Sequence, residues 1–212
     1  MVVAIDGPAG VGKSSLADRV AEGFGFFNLN SGAFYRAMVL KVLDEGVDAE
    51  DRDAVIAAAG TADLDIVDGR LHLDGKDVEG RLRTDMVDRW SSIISTIVPV
   101  RRIVNRHLRR IAEGMDLVAE GRDMTTIVFP DAEVKVFLDA DPSVRARRRF
   151  DQGTSDQSLE ELEASIRERD ERDRNKDEGS LTVADGAVVL DTSSLTLNEV
   201  YERVSGLIKT HL

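Results

Sequence analysis

Gly7-Pro8-Ala9-Gly10-Val11-Gly12-Lys13-Ser14-Ser15 is the stretch whose reading decides the fold. It satisfies G-x-x-x-x-G-K-[ST] at every fixed position. An apolar run, Val2-Val3-Ala4-Ile5, precedes it, and a helical pattern, Leu16-Ala17, Val20-Ala21 and Phe24, follows it. Strand, glycine-rich turn and helix form the setting in which this pattern binds phosphate. Gly7, Gly10 and Gly12 admit backbone conformations closed to other residues. Successive N–H groups can then turn inward as an anion nest. The helix start behind them adds about half a positive charge. Lys13 is placed to reach the β- and γ-phosphates of a nucleoside triphosphate, and the Ser14 hydroxyl to ligate Mg²⁺.

The chain has 212 residues, enough for one generous α/β domain with an insertion. There is no cysteine, which excludes disulfide staples and a thiolate zinc site. No basic segment leads into a long apolar core, and no apolar run approaches about 18 residues, so neither a signal peptide nor a membrane span is expected. The expected location is the cytoplasm. The net charge of −12 disfavours nucleic acid and anionic lipid as partners. Arginines nevertheless gather at 101–110, 145–149 and 167–174. Local guanidinium clusters on an acidic chain suit small phosphorylated ligands, although any one arginine is as readily explained by a solvated helix face with i,i+4 pairs.

Along the chain, strands are expected at 2–6, 26–29, 117–119, 134–138 and 187–190. Helices are expected at 13–23, from Asn30-Ser31 to about Glu45 with either residue as N-cap, and near 50–60 with Gly60 as its end. Leu64–Val67 and Arg70–Leu73 flank Asp68-Gly69, a strong hairpin signal, and Asp74-Gly75 reads as a second turn. Residues 84–114 read as two helices broken near Pro99, with Trp90, Ile93 and Ile94 in the core. A helix follows the cap Asp141-Pro142, residues 151–157 form a polar break, and helices are expected at 158–176 and 195–209. Strands alternating with helices imply a parallel sheet. The fold expected is a P-loop α/β domain with a parallel five-stranded sheet flanked by helices. No repeat or linker divides the chain, so it reads as a single domain, 1–212.

A phosphate loop does not name a reaction. No N-K-x-D base-recognition pattern is present, no D-x-x-G switch follows the right strand, and a motor or transporter ATPase does not suit this length. A small phosphoryl transferase with two substrates remains.

The remaining polar motifs narrow this further. Ile5-Asp6-Gly7-Pro8-Ala9-Gly10-Val11-Gly12-Lys13, Asn30-Ser31-Gly32-Ala33-Phe34-Tyr35-Arg36, Glu120-Gly121-Arg122-Asp123-Met124 with Phe129-Pro130-Asp131-Ala132, and Glu168 to Asn175 stand in order across nearly the whole chain. Together they resemble the four motifs of bacterial cytidylate kinases. The resemblance implies reversible transfer of the ATP γ-phosphoryl group to CMP or dCMP with Mg²⁺, by a monomer. It also implies a core at 1–60, 95–145 and 185–212, a monophosphate-binding insertion at about 61–94 and a lid at about 146–180.

Residue by residue, the resemblance makes Gly7 through Ser15 and Arg148 ATP-binding, with Arg149 a further lid-side contact. Lys13, Arg122 and Arg172 become catalytic, the last two neutralising the transferring group. Ser14 becomes the Mg²⁺ ligand, with Glu120 acting through water. Ser31, Arg36, Ser92, Arg101, Arg122, Asp123, Arg169, Asp173 and Lys176 become the CMP-binding set. In it, Asp123 reads the base, since an ionised carboxylate only accepts hydrogen bonds and so suits the cytosine amino group over the uracil carbonyl. Arg169 and Asp173 match a sugar-binding pair. Taken without the resemblance, they are an i,i+4 surface salt bridge. The chain departs from the family pattern at Asn30 (usually Asp), Thr125 (commonly Gly, so that the loop is expected to be crowded) and Lys176 (usually Arg).

Overall fold

The computed structural model describes residues 1–153 and 157–212. In chain order the first elements are β1 (Val2–Asp6), α1 (Lys13–Phe24), β2 (Phe27–Asn30), α2 (Ser31–Asp44) and α3 (Arg52–Thr61). Next come β3 (Leu64–Val67), β4 (Arg70–Leu73), β5 (Lys76–Asp77), α4 (Asp85–Ile94) and α5 (Val98–Ala112). The last are β6 (Leu117–Gly121), β7 (Val134–Asp139), α6 (Pro142–Asp151), α7 (Leu159–Arg174), β8 (Val188–Asp191) and α8 (Leu197–Lys209). The chain groups into two compact units, Met1–Leu29 with Gly114–Leu212, and Asn30–Glu113.

The first unit is built on the parallel five-stranded sheet, in the order β2-β6-β1-β7-β8. Its strands are short apolar runs, and those of β1, β6 and β7 are almost wholly buried, as a sheet covered on both faces demands. Helices α1 and α8 pack together against β1, β6 and β7 through Leu16, Ala17, Val20, Val200, Val204 and Ile208. Truncating a fully buried side chain such as Leu16 would cost about 2–5 kcal/mol. Register places Ile5 beside Glu120 and Asp6 beside Gly121. The phosphate loop therefore leaves β1 at the sheet end where Arg122 and Asp123 leave β6, the end at which α/β sheets collect ligands. Helices α6 and α7 share a small core of Ala146, Leu162 and Ile166. Ser158 and Glu161 cap α7 reciprocally.

The second unit packs α2 against α3, α4 and α5 and carries the antiparallel sheet β3-β4-β5. Asp68-Gly69 and Asp74-Gly75 all have positive φ, so both expected turns form as two-residue hairpin turns. Asp74 also ties the sheet to α2, accepting from Lys41 Nζ at 2.7 Å and from Asp63 N at 2.9 Å.

Several boundaries differ from expectation. At α2 the structure selects Asn30 of the two expected caps, accepting from Ala33 N at 3.1 Å. Helix α3 runs through Gly60 to Thr61, whose hydroxyl bonds the Ala58 carbonyl at 3.0 Å. The break between α4 and α5 falls at 95–97, and Pro99 sits in the first turn of α5, where its missing N–H costs nothing. Ile93 is 38% exposed and Trp90 only half-buried. The buried stripe of α4 is instead Val87, Ser91 and Ile94, a heptad-like spacing turned toward α2, which leaves positions 86, 90 and 93 on another face. Of the expected polar break, α6 absorbs Asp151, 152–153 form a turn, and 154–156 lie outside the described residues.

Candidate active site

The phosphate loop shows two different needs for glycine. A Cβ on Gly7 would lie 2.3 Å from the Leu138 carbonyl oxygen, so the backbone approach itself excludes a side chain. Gly12 has open space but φ of +101°, so there the conformation decides. Side chains reach three loop carbonyls. Lys13 Nζ bonds Pro8 O at 2.8 Å, Arg145 Nη1 bonds Ala9 O at 3.0 Å, and Thr192 Oγ1 reaches Val11 O at 3.4 Å. Lys13 is buried, and burial pulls its pKa down to about 7; the Arg122 charge adds to this, while Glu120, Asp6 and Asp173 oppose it. Ser14 Oγ donates to Glu120 Oε1 at 2.6 Å, so the two expected Mg²⁺-side residues meet.

Asp6 ends β1 fully buried. Met124 N at 2.8 Å, Thr125 N at 2.7 Å and Thr125 Oγ1 at 2.6 Å all donate to it. Desolvation raises its pKa against these bonds. Thr125, expected to crowd its loop, instead turns its hydroxyl inward as a third donor to a buried carboxylate. The backbone here makes one wide helical turn, with Val128 N bonding Asp123 O at 3.0 Å and Phe129 N bonding Met124 O at 2.8 Å. Such a turn marks functional positions more often than helices at large. Asp123, at its start, is 1% exposed, so a base that it reads must reach it through a rearrangement of what covers it.

Arg122 Nε bonds Asp173 Oδ2 at 2.7 Å, and Lys176 Nζ bonds Asp173 Oδ1 at 2.7 Å. The surface pair Arg169–Asp173 is therefore not the arrangement found. Asp173 is buried, and each of its oxygens holds a cation from elsewhere. Burial alone would raise its pKa, but the charges of Arg122 and Lys176 outweigh it and hold the carboxyl well below the usual range. Arg172 and Arg148 are not brought to this cluster. Arg172 pairs with Glu168 at 2.7 Å along α7, and Arg148 Nη2 bonds the Thr192 carbonyl at 2.6 Å. Arg169 lies half-buried on α7 and Arg149 half-buried on α6.

In the second unit, Ser31 and Arg36 stand on α2, Ser92 on α4 and Arg101 on α5. Arg101 is fully buried, gives Nη1 to Ser95 O at 2.8 Å and lies 5.5 Å from the Tyr35 ring centre. Arg36 Nε bonds Asp88 Oδ1 at 2.9 Å. A Cβ on Gly32 would stand 3.2 Å from Arg36 Nη1 and 3.1 Å from Asn30 Oδ1. The missing side chain thus leaves room for the guanidinium to fold back toward the start of α2, where the helix dipole favours anions.

The donor chemistry fits Mg²⁺: a hydroxyl and a carboxylate oxygen in contact beside the phosphate loop are hard ligands of the right kind. No group of three or more His, Cys, Asp or Glu side chains forms a metal cage among the described residues. A Mg²⁺ ion that arrives with its nucleotide needs no such cage. Sequence reasoning passed over Asp6, Thr192, and the buried pair Arg145 and Asp170, whose Nη2–Oδ2 distance is 2.6 Å. Arg145 sits in one of the noted clusters, but nothing in the sequence separates it from solvated neighbours.

Comparison with known proteins follows from this geometry. A model of the cytidylate kinase family matches residues 3–210. A cytidylate kinase of Caldanaerobacter subterraneus subsp. tengcongensis is 41% identical, over 98% of this chain and 94% of its own length. One from Vibrio cholerae is 42% identical, over 100% and 97%. Among solved structures, shikimate kinase from Bacteroides thetaiotaomicron superposes with a TM-score of 0.52 at 12% identity, over 99% of this chain and 98% of its own, a likeness of fold alone. The chain belongs to the cytidylate kinase family.

Proposed function

We propose that this chain transfers the γ-phosphoryl group of ATP to CMP and dCMP with the residues described above. The observation that carries the reading is two phosphate-directed sets in one unit within electrostatic reach of each other: Ser14 on Glu120 beside Lys13, whose charge feels Arg122, Glu120 and Asp173, and Arg122 with Lys176 on the shared Asp173. Phosphoryl transfer needs positioning and charge neutralisation more than covalent chemistry. The loop Gly7 through Ser15, apart from Pro8, which has no N–H, presents N–H groups to the donor phosphates. Lys13 exchanges its Pro8 carbonyl for them, and the anion raises its pKa so that it binds as a cation. Arg122, fixed at Nε, keeps a terminal nitrogen for the transferring group. Ser14 would hold Mg²⁺ and Glu120 a water on it, and the ion would supply neutralisation of phosphate charge. Arg148 and Arg172 serve on the ATP side after leaving their present partners. For CMP, the proposed roles are phosphate binding for Arg36, for Arg122 and for Lys176, base binding for Ser31, Ser92, Arg101 and Asp123, and sugar binding for Arg169 and Asp173. Residues 61–94 and 146–180 are proposed as the monophosphate-binding insertion and the lid.

The protein is proposed to act as a cytoplasmic monomer on free nucleotides, without nucleic-acid or membrane partners. The net charge of −12 supports this, and no helix among the described residues is long and apolar enough to cross a membrane. A kinase of relaxed pyrimidine choice, or a nucleotide-binding module without turnover, fits the loop alone and is not favoured by the family. Coupled assays with CMP, dCMP, UMP and AMP test the reading: CMP and dCMP should lead clearly. Asp123→Asn should narrow the CMP-to-UMP ratio at least about tenfold, as loss of a buried specificity bond does. An unchanged ratio removes Asp123 from base reading.

A further inference from the structure

Arg145, on α6, is fully buried, and each of its three guanidinium nitrogens bonds a different part of the first unit. Nε bonds Ala140 O at 2.9 Å, Nη1 bonds Ala9 O at 3.0 Å, and Nη2 bonds Asp170 Oδ2 at 2.6 Å. The loop packs directly on it: a Cβ on Gly10 would stand 3.5 Å from the Arg145 Cβ.

The bond to Ala9 O has a geometric consequence. In a trans peptide the carbonyl and the following N–H point in opposite directions. A guanidinium that fixes Ala9 O therefore fixes the Gly10 N–H on the far side of the same plane, one of the nest donors. Thr192, itself held by Arg148, reaches the Val11 carbonyl at 3.4 Å but shares its single hydroxyl hydrogen with the nearer Asp139 carbonyl at 3.2 Å, so it holds the Val11–Gly12 peptide less firmly. Arg145 differs in being charged and in being bound to α7. One turn beyond Asp170 on that helix, Asp173 grips Arg122 and Lys176. A continuous buried path thus runs from Ala9 O through Arg145 and Asp170 along α7 to the two cations assigned to the acceptor phosphate. Asp170 also lies within the electrostatic reach of Arg122. Its second oxygen, Oδ1, is buried without a hydrogen-bond partner, so the pair is not the fully satisfied arrangement that stability alone would select.

We propose that Arg145 is a positioning residue that couples donor to acceptor binding: it aims the Gly10 N–H at the donor phosphates and transmits their capture to Asp173, Arg122 and Lys176 through Asp170. An anion drawing on the Gly10 N–H polarises the Ala9 carbonyl and strengthens its bond to Arg145. That bond orders α7, and an ordered Asp173 presents Arg122 and Lys176 to CMP at lower cost. Linkage requires the effect to run both ways. The inference rests on the assignment of the loop to ATP and of Arg122, Asp173 and Lys176 to CMP.

The test measures Kd for a non-hydrolysable ATP analogue and for CMP by calorimetry, each alone and with the other site filled. In the native chain, filling one site should tighten the other about 5- to 100-fold, the usual range of coupling. The paired change Arg145→Met with Asp170→Leu replaces a buried ion pair by apolar side chains of similar size, an exchange that is often neutral for stability. It should remain folded with a lowered Tm, since the Ala140 and Ala9 carbonyls lose their donor, keep the CMP affinity, weaken the analogue about tenfold, and bring the coupling factor close to one. Arg145→Lys keeps the charge against Asp170 but cannot span three acceptors, and should lose coupling while remaining folded; it decides the matter if the paired variant does not fold. Native coupling in the folded variants would make Arg145 a structural residue only. A native chain that makes CDP without coupling would overturn this proposal alone. A native chain that binds no CMP would overturn the functional reading beneath it.

Discussion

Around the phosphate loop, Lys13, Arg122, Arg145 and Lys176 are held in a crowd of Asp6, Glu120, Asp170 and Asp173, with almost every member buried. In the Asn30–Glu113 unit, Arg36 leans by one nitrogen on Asp88, whose side chain is 36% exposed, and Lys41 binds the similarly open Asp74 and Glu45. Desolvation is the difference. In the first unit it makes every unpaired charge expensive, so the groups are locked in advance of substrate, and the pKa values of Lys13 and Asp173 are pulled well down. In the second, water shares the work, and the cations can change partner at little cost. A phosphoryl-transfer centre gains from the first arrangement, since preorganised charge needs no reorganisation in the transition state. An arginine that must admit and release an acceptor gains from the second.

Lys13→Met should separate the two arrangements most sharply. Turnover should fall about 10³-fold or more, in line with loss of a principal transition-state cation. The unliganded protein should nevertheless become more stable. Unfolded Lys13 keeps its proton up to about 10.5, whereas the folded residue loses it near 7. Between those values the unfolded state holds more protons, so the contribution of Lys13 to stability rises with pH through that window. The Tm gain of the variant should thus be largest at pH 7 and below and shrink toward pH 10, as calorimetry at several pH values would read. A loss of stability at pH 7 would mean that the lysine is not held against its preference.

Asp173→Asn should come next. It leaves Arg122 and Lys176 buried without a full counter-charge, at about 3–5 kcal/mol. The depressed pKa of Asp173 means that its stabilisation is present above the usual carboxylate range and is lost as the pH falls through and below it. Thermal melts between pH 7 and 3 should therefore slope less steeply in the variant than in the native chain. Thr125→Val should cost less, about 1.5–3 kcal/mol, because it removes one of three donors to Asp6. A loss below about 0.5 kcal/mol would show that the two backbone donors satisfy that carboxylate alone.

What could be read beforehand follows from how each feature is written in the chain. The phosphate loop is contiguous, and the sheet strands and the two Asp-Gly turns are local, so period, turn chemistry and motif sufficed for them. The cluster at Asp6, Glu120, Arg122, Arg145, Asp170 and Asp173 comes from four separate stretches, and only the tertiary fold brings them together. Arg145 and Arg172 look alike in sequence, each a basic residue in a charged helix, yet one is sealed in and the other pairs with Glu168 at the surface. Helix phase against a neighbour decides that, as it decided against Ile93 on α4. The family resemblance supplied Asp173, whose i,i+4 spacing from Arg169 alone would have been read as a surface pair. It marked Thr125 only as a departure that would crowd its loop, whereas the hydroxyl finds Asp6 because the backbone after Asp123 winds into a wide turn.

The smallest effect is expected where the comparison is most exposed to error, at Asp88. If its role is to park Arg36 loosely, Asp88→Asn keeps a hydrogen-bond acceptor for Nε and removes only a solvent-screened charge. The KM for CMP should then shift by no more than about threefold, with kcat unchanged, as exposed pairs contribute little. Arg36→Lys gives the scale, since a point charge cannot match the fork to a phosphate, and the KM for CMP should rise about tenfold or more. A large rise in Asp88→Asn would place Asp88 among the orienting residues and make the second unit as preorganised as the first. A fall would mean that Asp88 competes with the incoming phosphate for Arg36. The direction of that one KM therefore says whether the open ion pair is a rest, a brace or a rival.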